Sequence, residues 1–254
     1  MLDNDTEFTA GNCHLSVVMP AYNEANAICE NIQQTIYVLD DFCPDFELIV
    51  VDDGSVDGTF DQIIAASVRD NRVIPVKSTQ NGGKGDALKT GVKYTHGYYV
   101  AFLDADLDLH PSQLKSFLAM IMSNNADVVI GSKLHKASKV DYPIQRRIIS
   151  RIYSVFLRLL FRMKVNDTQV GIKLFKGDLI RDVMEKIMVK RFAYDVEVLL
   201  LCSRRGAVIV EHPVQLDYQR GVPWGRMRLR DLWYTGLDTI AIFYRLHFLK
   251  YYNS

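Results

Sequence analysis

Short apolar runs alternate with segments of helical length along the first half of the chain. The runs are rich in β-branched and aromatic residues, and the longer segments repeat apolar residues at helical spacing. The apolar runs occupy residues 15–19, 48–51, 73–76, 98–103 and 128–130, and the helical segments residues 24–41, 57–70, 84–96 and 111–124. Repeated strand and helix units of this kind build a mainly parallel sheet. The pattern therefore predicts an α/β, Rossmann-like fold with helices on both faces of the sheet.

The pattern changes from about residue 140. Long helices that are both basic and apolar follow, with one β-rich stretch at residues 207–218, so we expect the sheet to continue there only in part. In the helix predicted at 145–164, arginines share one stripe and apolar residues lie on the other side. The arginines are Arg147, Arg151, Arg158 and Arg162, and the apolar residues are Ile148, Ile149, Ile152, Phe156, Leu159 and Leu160. Such a helix either lies on an anionic membrane surface or packs its apolar face on the sheet.

Composition narrows the classes of function. The 254 residues include 30 Lys or Arg and 30 Asp or Glu, so no overall field points to a nucleic-acid partner. The four cysteines form no C-x-x-C pair, and the N-terminus has no apolar stretch preceded by basic residues, which argues against a zinc site, a disulfide framework and a secretory signal. No apolar stretch reaches the roughly 18 uncharged residues of a transmembrane helix. A cytoplasmic protein is expected.

Three aspartates follow the apolar run at 98–103 at every second position. In an extended backbone Asp104, Asp106 and Asp108 would point to the same side and converge on one point. Carboxylates at the carboxyl end of a strand suit Mg²⁺ or Mn²⁺, which share their remaining ligand positions with water and substrate phosphates. The alternative is a solvated acidic turn in which Asp108 caps the helix that begins near Pro111.

Three further clusters follow the first three predicted strands. Residues 20–24 read Pro-Ala-Tyr-Asn-Glu, residues 52–55 read Asp-Asp-Gly-Ser, and residues 81–85 read Asn-Gly-Gly-Lys-Gly. Asp52 and Asp53 could accept hydrogen bonds from a ribose or a base, and Lys84 offers a point charge for a diphosphate. Each cluster alone is also an ordinary turn or loop. Their order along successive strands predicts one nucleotide-binding edge of the sheet.

Other nucleotide folds match the sequence less well. The first strand is not followed by the G-x-G-x-x-G of dinucleotide-binding domains, and Lys84 precedes Gly85 instead of the Ser or Thr of a P-loop. A sugar nucleotidyltransferase would share the broad architecture, but the loop after the first strand carries no Gly-rich, Arg-bearing segment. A transferase fits better.

From about Leu15 to about Tyr218 the chain resembles the inverting family 2 glycosyltransferases of GT-A fold. Within that family it is most similar to the polyprenyl-phosphate (dolichyl-phosphate) mannosyl and glucosyl transferases. The resemblance implies that Pro20, Tyr22, Glu24 and Asp52 hold the base and ribose of a nucleotide sugar. It further implies that Asp104 and Asp106 form the D-x-D that binds a divalent metal, Mg or Mn, and the sugar diphosphate. Asp108 stands where relatives often carry Gln as a third ligand.

The same resemblance extends to an acceptor half. It implies that residues 131–133 and 146–150 contact a lipid phosphate, although relatives usually carry Arg where this chain has Lys133. Residues 167–175 and 194–197 match two further signatures, and an arginine corresponding to Arg220 closes over the donor diphosphate. The acceptor residues inferred in this way are Lys133, Arg146, Arg147, Ser150 and Gln169. Read without the resemblance, Asp195 and Glu197 are acids on a helix surface.

Together these observations predict a GT-A domain at residues 13–218 and a basic, aromatic helical segment at 219–254. That segment either lies at a membrane interface or docks on the core or a second subunit. The predicted activity is transfer of a hexose from GDP-mannose or UDP-glucose to a polyprenyl phosphate at the cytoplasmic membrane face. Asp104, Asp106, Lys84 and Arg220 would serve the donor. A hydroxyl acceptor, with Asp195 or Glu197 as base, and a nucleotide-sugar-binding protein without turnover are the alternatives.

Overall fold

The computed structural model describes residues 14–123, 125–140, 144–163, 165–191, 193–216 and 229–253, without the side chains of 144–149, 229–232 and 253. The strands are β1 Leu15–Ala21, β2 Phe46–Asp52, β3 Val73–Lys77, β4 Tyr99–Phe102, β5 Val128–Ser132, β6 Lys139–Val140, β7 Lys173–Lys176, β8 Ile209–Pro213 and β9 Gln215–Leu216. The helices are α1 Ile28–Phe42, α2 Thr59–Arg69, α3 Lys84–Val92, α4 Gln113–Ser123, α5 Ile144–Phe161, α6 Gly177–Lys186, α7 Tyr194–Arg204 and α8 Leu229–His247, followed by a short 3-10 helix, Tyr251–Asn253.

Seven strands form the main sheet in the order β3-β2-β1-β4-β7-β5-β8. Neighbouring strands are parallel except at β7, which runs antiparallel to both β4 and β5. The predicted α/β fold with a mainly parallel sheet is confirmed, and each apolar run of the first half is a strand. β7 was not predicted, because its four residues begin and end with lysine and show no strand-like alternation.

Apolar residues fill both faces of the sheet, because parallel strands covered by helices are buried on both sides. One face packs against α1, α2 and α4 through residues such as Val17, Ile32 and Phe117. The other face packs against α3, α6 and α7, where Phe102 and Leu199 are buried. The site-bearing loops therefore project from a rigid base.

The predicted β-rich stretch at 207–218 continues the sheet in part, as expected. β8 pairs with β5 at the sheet edge, and β9 pairs with β6 in a separate two-stranded ribbon. In the part of the chain that the structure describes, no helix has the length and apolar character needed to cross a membrane. Of the cysteines described, Cys29, Cys43 and Cys202 are free thiols.

Helix α5 does not bury the apolar face that lies opposite its arginine stripe, so packing of that face on the sheet, one of the two alternatives, is not observed. It buries Ser154 and Leu157, while Leu159 is 78% exposed and Ile152 65% exposed. The interpretation that Ile152, Phe156 and Leu159 pack on the sheet is therefore wrong. The helix uses a neighbouring stripe for packing because Tyr153 meets α8, where its hydroxyl lies 2.8 Å from Thr239 Oγ1.

Helix α8 docks on the domain by one stripe and exposes another. Thr235, Thr239, Ile242 and Leu246 are buried. The opposite stripe is apolar and exposed, with Trp233 at 69%. Its members on the helix are Trp233, Leu237, Ile240 and Tyr244, and Phe248 continues it directly after the helix ends. Docking on the core, one of the two expectations for this segment, is thus observed together with an outward apolar face.

Candidate active site

The loops after β1 and β2 interlock at the carboxyl edge of the sheet. The backbone N–H of Asn23 donates to Ser55 Oγ at 2.9 Å, and the N–H of Val56 donates to Asn23 Oδ1 at 3.2 Å. The N–H of Glu24 donates to Thr59 Oγ1 at 2.8 Å. Asn23 has φ of +54°, a conformation that Asn adopts more readily than most residues. This bonding fixes the candidate base-binding residues in one wall.

Asp52 and Asp53 have different roles in that wall. Asp52 is fully buried, and one carboxylate oxygen accepts the N–H of Ser55 at 3.0 Å. No described residue hydrogen-bonds to the other oxygen, Asp52 Oδ2. A buried acceptor of this kind suits an N–H or O–H donor of a bound base or ribose. Pro20 is the penultimate residue of β1, whose last residue, Ala21, pairs with Asp52, and Tyr22 is partly exposed in the following loop.

Asp53 instead supports the glycine loop. Its two oxygens accept the backbone N–H groups of Gly82 and Gly83 at 2.9 and 2.8 Å. Gly54 has φ of +71°, and a Cβ there would lie 2.6 Å from the carbonyl carbon of Gln80, so the two loops meet closely only because residue 54 is glycine. Asp53 therefore holds the glycine loop, where the sequence suggested a direct contact with a ribose or a base.

Lys84 and Asp104 meet at the centre of the edge. Lys84 Nζ lies 2.5 Å from Asp104 Oδ1. Burial opposes the charge of Lys84, but nearby carboxylates, Asp104 foremost, raise its pKa. Burial also opposes the charge of Asp104, yet Lys84, Lys173 and Lys133 together lower its pKa. Both groups are held ionised, and the clusters after the third and fourth strands lie together as predicted.

The backbone turns sharply after Asp104, which changes the geometry expected for the three aspartates. The N–H of Leu107 donates to the carbonyl of Asp104 at 3.2 Å, and Leu107 has φ of +52°. Among the described residues, no group of three or more His, Cys, Asp or Glu side chains is arranged to hold a metal ion. The expected convergence of Asp104, Asp106 and Asp108 from an extended backbone is therefore wrong, because residues 104–107 form a turn.

Two carboxylates still fit a divalent cation that also binds substrate oxygens. Burial, together with the charges of Asp104 and Asp108, raises the pKa of Asp106 to about 6. A cation beside Asp106 would relieve this repulsion, and carboxylate oxygens are the donors that Mg²⁺ and Mn²⁺ accept. The donor set at Asp104 and Asp106 therefore fits such an ion.

A second buried ion pair lies behind the first. Lys173 Nζ is 2.6 Å from Asp195 Oδ1, with the two side chains 1% and 7% exposed. Burial lowers the pKa of Lys173 and raises that of Asp195, since removal from water disfavours both charges. Lys173 was not singled out from the sequence. The available signal was a lysine between the apolar residues Ile172 and Leu174, which requires a partner if it is buried.

The loop before β7 forms the floor beneath Asp104. A Cβ on Gly171 would lie 2.1 Å from Asp104 Oδ2, so glycine is required for this approach. Glu211 on β8 anchors the loop by accepting the N–H groups of Asn166 and Asp167 at 3.0 and 3.1 Å. Asp167 in turn accepts the N–H of Lys133 at 2.9 Å. The 167–175 signature thus joins the donor centre to the predicted acceptor residues.

The predicted acceptor residues are only partly described. Lys133 lies near enough for its charge to lower the pKa of Asp104. Gln169 is half-buried, and no described residue hydrogen-bonds to its Nε2; Ser150 is half-buried on α5. Arg146 and Arg147 lie on α5, but their side chains are outside the described residues, as is Arg220 altogether. Their predicted roles remain predictions.

Asp195 and Glu197 are not acids on a helix surface. Asp195 is 5% exposed and Glu197 is fully buried, although both lie in the first turn of α7. Glu197 accepts the N–H groups of Met188 and Val189 at 3.0 and 2.7 Å. The helix-surface interpretation is wrong because α7 is covered on nearly all sides.

A parallel sheet whose carboxyl edge gathers a buried aspartate, a glycine loop with lysine and a D-x-D turn defines a glycosyltransferase of GT-A-like fold. The family model described as Glycosyl transferase family 2 matches residues 16–184, well over half of the chain. The chain belongs to glycosyltransferase family 2, as the motifs predicted.

Curated relatives agree with this assignment. Glycosyltransferase AglD of Haloferax volcanii is 30% identical over 82% of this chain and 34% of its own length. The dolichyl-phosphate beta-glucosyltransferase of Dictyostelium discoideum is 30% identical over 79% of this chain and 65% of that protein. The dolichyl-phosphate beta-glucosyltransferase ALG5D of Trichomonas vaginalis is 28% identical over 95% of this chain and 77% of its own length. The chain thus spans about a third of AglD and two thirds to three quarters of these two glucosyltransferases.

Solved structures confirm the fold. Glucosyl-3-phosphoglycerate synthase from Mycobacterium tuberculosis, in complex with Mn²⁺, UDP and glucosyl-3-phosphoglycerate, has a TM-score of 0.68 at 23% identity over 93% of this chain and 80% of that chain. Mannosyl-3-phosphoglycerate synthase from Rubrobacter xylanophilus has a TM-score of 0.65 at 18% identity over 94% and 75%. At such low sequence identity, the structural similarity establishes the GT-A-like fold.

Proposed function

We propose that the protein transfers glucose from UDP-glucose to a polyprenyl phosphate, with inversion at the anomeric carbon. The observation that carries the proposal is the Lys84–Asp104 ion pair beside Asp106, at the edge where β1 and β2 bring the buried Asp52. Glucose is favoured over mannose because two of the similar relatives are named dolichyl-phosphate beta-glucosyltransferases. UDP is favoured because a structural neighbour was solved with it.

Two groups of residues at the carboxyl edge of the sheet would bind different parts of the donor, one the nucleoside and the other the diphosphate. Asp52 would accept a hydrogen bond from the nucleoside, with Tyr22 and Glu24 completing that wall. Lys84 would leave its contact with Asp104 in part to face the diphosphate, since a phosphate is a strong partner for an ammonium group. Asp104 and Asp106 would hold a divalent ion, which supplies charge neutralisation for the departing UDP.

The acceptor step needs little from the protein beyond positioning. A phosphate oxygen of the acceptor attacks the anomeric carbon from the face opposite the diphosphate, the bond from that carbon to the diphosphate oxygen breaks, and UDP leaves. The attacking oxygen is already anionic at neutral pH, so no proton has to be removed. Lys133 would fix the acceptor phosphate, with Arg146 and Arg147 as predicted partners.

The state of Asp195 supports a phosphate acceptor over a hydroxyl acceptor. A hydroxyl must lose its proton, and a general base has to reach it. Asp195 is buried and bonded to Lys173, and Glu197 already accepts two backbone N–H groups. Both candidate bases are occupied by structural contacts.

The place of action would be the cytoplasmic face of a membrane, by peripheral contact. The outward stripes of α5 and α8 support this, because they combine apolar residues with exposed arginines such as Arg151 and Arg158. Helices of this type lie in the interfacial region and are attracted by anionic lipids.

The test is transfer of label from radioactive UDP-glucose or GDP-mannose to a short polyprenyl phosphate, with Mg²⁺ or Mn²⁺. The matched control acceptor is the same polyprenol without its phosphate. Label from UDP-glucose in the phosphate-bearing lipid alone supports the proposal. Label from GDP-mannose instead would show that the transferred sugar is mannose and not glucose. Equal labelling of the unphosphorylated alcohol would overturn the phosphate-acceptor mechanism.

A further inference from the structure

Glu197 joins three parts of the molecule at one buried point. Its Oε2 accepts the backbone N–H groups of Met188 and Val189 at 3.0 and 2.7 Å. Its Oε1 accepts the hydroxyl of Tyr252, from the 3-10 helix beyond α8, and lies 3.7 Å from an Nη of Arg245 on α8. A carboxylate is costly to bury, so its retention here needs these partners. Glu197 ties the C-terminal helices to residues 187–191, which we call the bridging loop.

The bridging loop supports the glycine loop that carries Lys84. The N–H of Asp86 donates to the carbonyl of Lys190 at 3.1 Å. Added Cβ atoms on Gly83 and Gly85 would each lie 2.9 Å from the same carbonyl oxygen, so the two backbones are in direct contact. Lys89 Nζ donates to the carbonyl of Ile187 at 2.7 Å, which fixes the other end of the bridging loop against α3.

The C-terminal helices hold the bridging loop from its other side. The Arg191 guanidinium stacks over the ring of Tyr234 on α8, 4.7 Å from its centroid. The hydroxyl of Tyr251 lies 3.4 Å from Met188 Sδ. The bridging loop is therefore clamped between α3, which begins at Lys84, and the helices that carry the exposed apolar stripe.

We propose that Glu197 and Tyr252 are positioning residues for Lys84. Through the bridging loop they set the first turn of α3, and so the approach of Lys84 Nζ to the donor diphosphate. The inference rests on the proposed function, in which Lys84 contacts that diphosphate. It adds that the C-terminal helices take part in donor binding without touching the donor.

The first experiment measures binding of UDP and of uridine, both with Mn²⁺, to the Tyr252→Phe and Glu197→Gln variants. Uridine carries the nucleoside contacts but lacks the diphosphate that Lys84 would bind. Loss of one hydrogen bond in the clamp should raise the UDP dissociation constant about 3- to 10-fold. Uridine affinity should not change. Tyr244→Phe, on the exposed stripe of the neighbouring helix α8, is the matched control and should bind both ligands as wild type does.

A double-mutant cycle separates positioning from general damage. In a Lys84→Met background, Tyr252→Phe should cause no further loss of UDP affinity, because the group that it positions is gone. Equal loss of uridine and UDP, an equal loss in the Lys84→Met background, or unchanged UDP affinity in Tyr252→Phe would each overturn the inference. If Lys84→Met itself leaves UDP affinity unchanged, the assignment of Lys84 in the proposed function fails instead.

Discussion

Asp104 receives the ammonium group of Lys84 on one side and the backbone of Gly171 on the other. The ammonium lies 2.5 Å from Asp104 Oδ1, and there is no space for a side chain between Gly171 and Asp104 Oδ2. A carboxylate held this tightly keeps one orientation before any donor arrives. Preorganised charge is the feature that electrostatic catalysis requires.

Replacing Gly171 with alanine should disable the site without unfolding the protein. The new Cβ would lie 2.1 Å from Asp104 Oδ2 and would push the carboxylate away from Lys84. We expect transfer to fall roughly 100-fold, the scale of loss from a misplacement of about 1 Å. Gly236→Ala is the control, since a Cβ there meets no described atom within 4 Å. Equal activity of Gly171→Ala and Gly236→Ala would show that Asp104 tolerates displacement.

Replacing Lys173, the positively charged member of the buried Lys173–Asp195 pair, should lower the free energy of unfolding. In Lys173→Met the Asp195 carboxylate stays buried without its partner, so we expect the free energy of unfolding to fall by about 3–5 kcal/mol. Lys176→Met on the same strand breaks the Lys176–Asp127 pair, in which the lysine side chain is 49% exposed, and should cost at most about 1 kcal/mol. Urea unfolding of the two variants measures the difference, and equal losses would contradict the argument.

At the residue scale, the sequence predicts which side chains meet where those residues belong to local motifs, and the contact between Lys84 and Asp104 is observed. Lys84 and Asp104 follow successive predicted strands, so topology alone brings them to one edge. Lys173 could not be found in this way, because its strand was not predicted and because an isolated lysine does not reveal which side of a strand it occupies. The predicted convergence of Asp104, Asp106 and Asp108 was wrong. Side chains at every second position share one side only in an extended backbone, and residues 104–107 form a turn.

At the scale of elements, α5 and α8 share an unusual distribution of apolar residues. They contact each other through Tyr153 and Thr239 and through the rings of Phe161 and Phe243, whose centroids are 6.2 Å apart. Each helix also carries an outward apolar stripe. Periodicity predicted that α5 is amphipathic but could not decide its packing, because several stripes of that helix contain apolar residues.

If these stripes contact lipid, polar substitutions there should release the protein from vesicles. Combining Leu159→Ser with Trp233→Ser should lower the partition coefficient onto anionic vesicles by at least about tenfold, since each side chain contributes apolar area to the interface. Val68→Ser on α2, where the valine is 83% exposed, is the control and should leave partitioning unchanged. A sedimentation assay compares them, and unchanged partitioning of the double variant would exclude these stripes from the contact.

At the scale of the whole molecule, donor and metal should stabilise the fold together. A ligand at 100 times its dissociation constant adds about 2.7 kcal/mol, which for a chain of this size shifts the melting temperature by roughly 5–10 °C. We expect UDP with Mn²⁺ to give such a shift and either alone to give less. In Asp106→Asn, added Mn²⁺ should no longer enhance the effect of UDP. Undiminished enhancement in that variant would remove Asp106 from the metal site.

The antiparallel strand β7 also has a consequence for how the protein is made. Phe102 of β4 pairs with Lys173 of β7, so β4 keeps one unpaired edge until some seventy further residues have been synthesised. Unpaired edges are sites where chains associate wrongly, and pairings distant in sequence form slowly. The nucleotide-binding half therefore emerges first, and the segment that supplies Gly171 and Lys173 later joins β4 to β5, before β8 is added at the sheet edge. A chain that has been synthesised only as far as β5 has no floor beneath Asp104, so competence to use the donor arises only after the segment at 171–176 has joined the sheet.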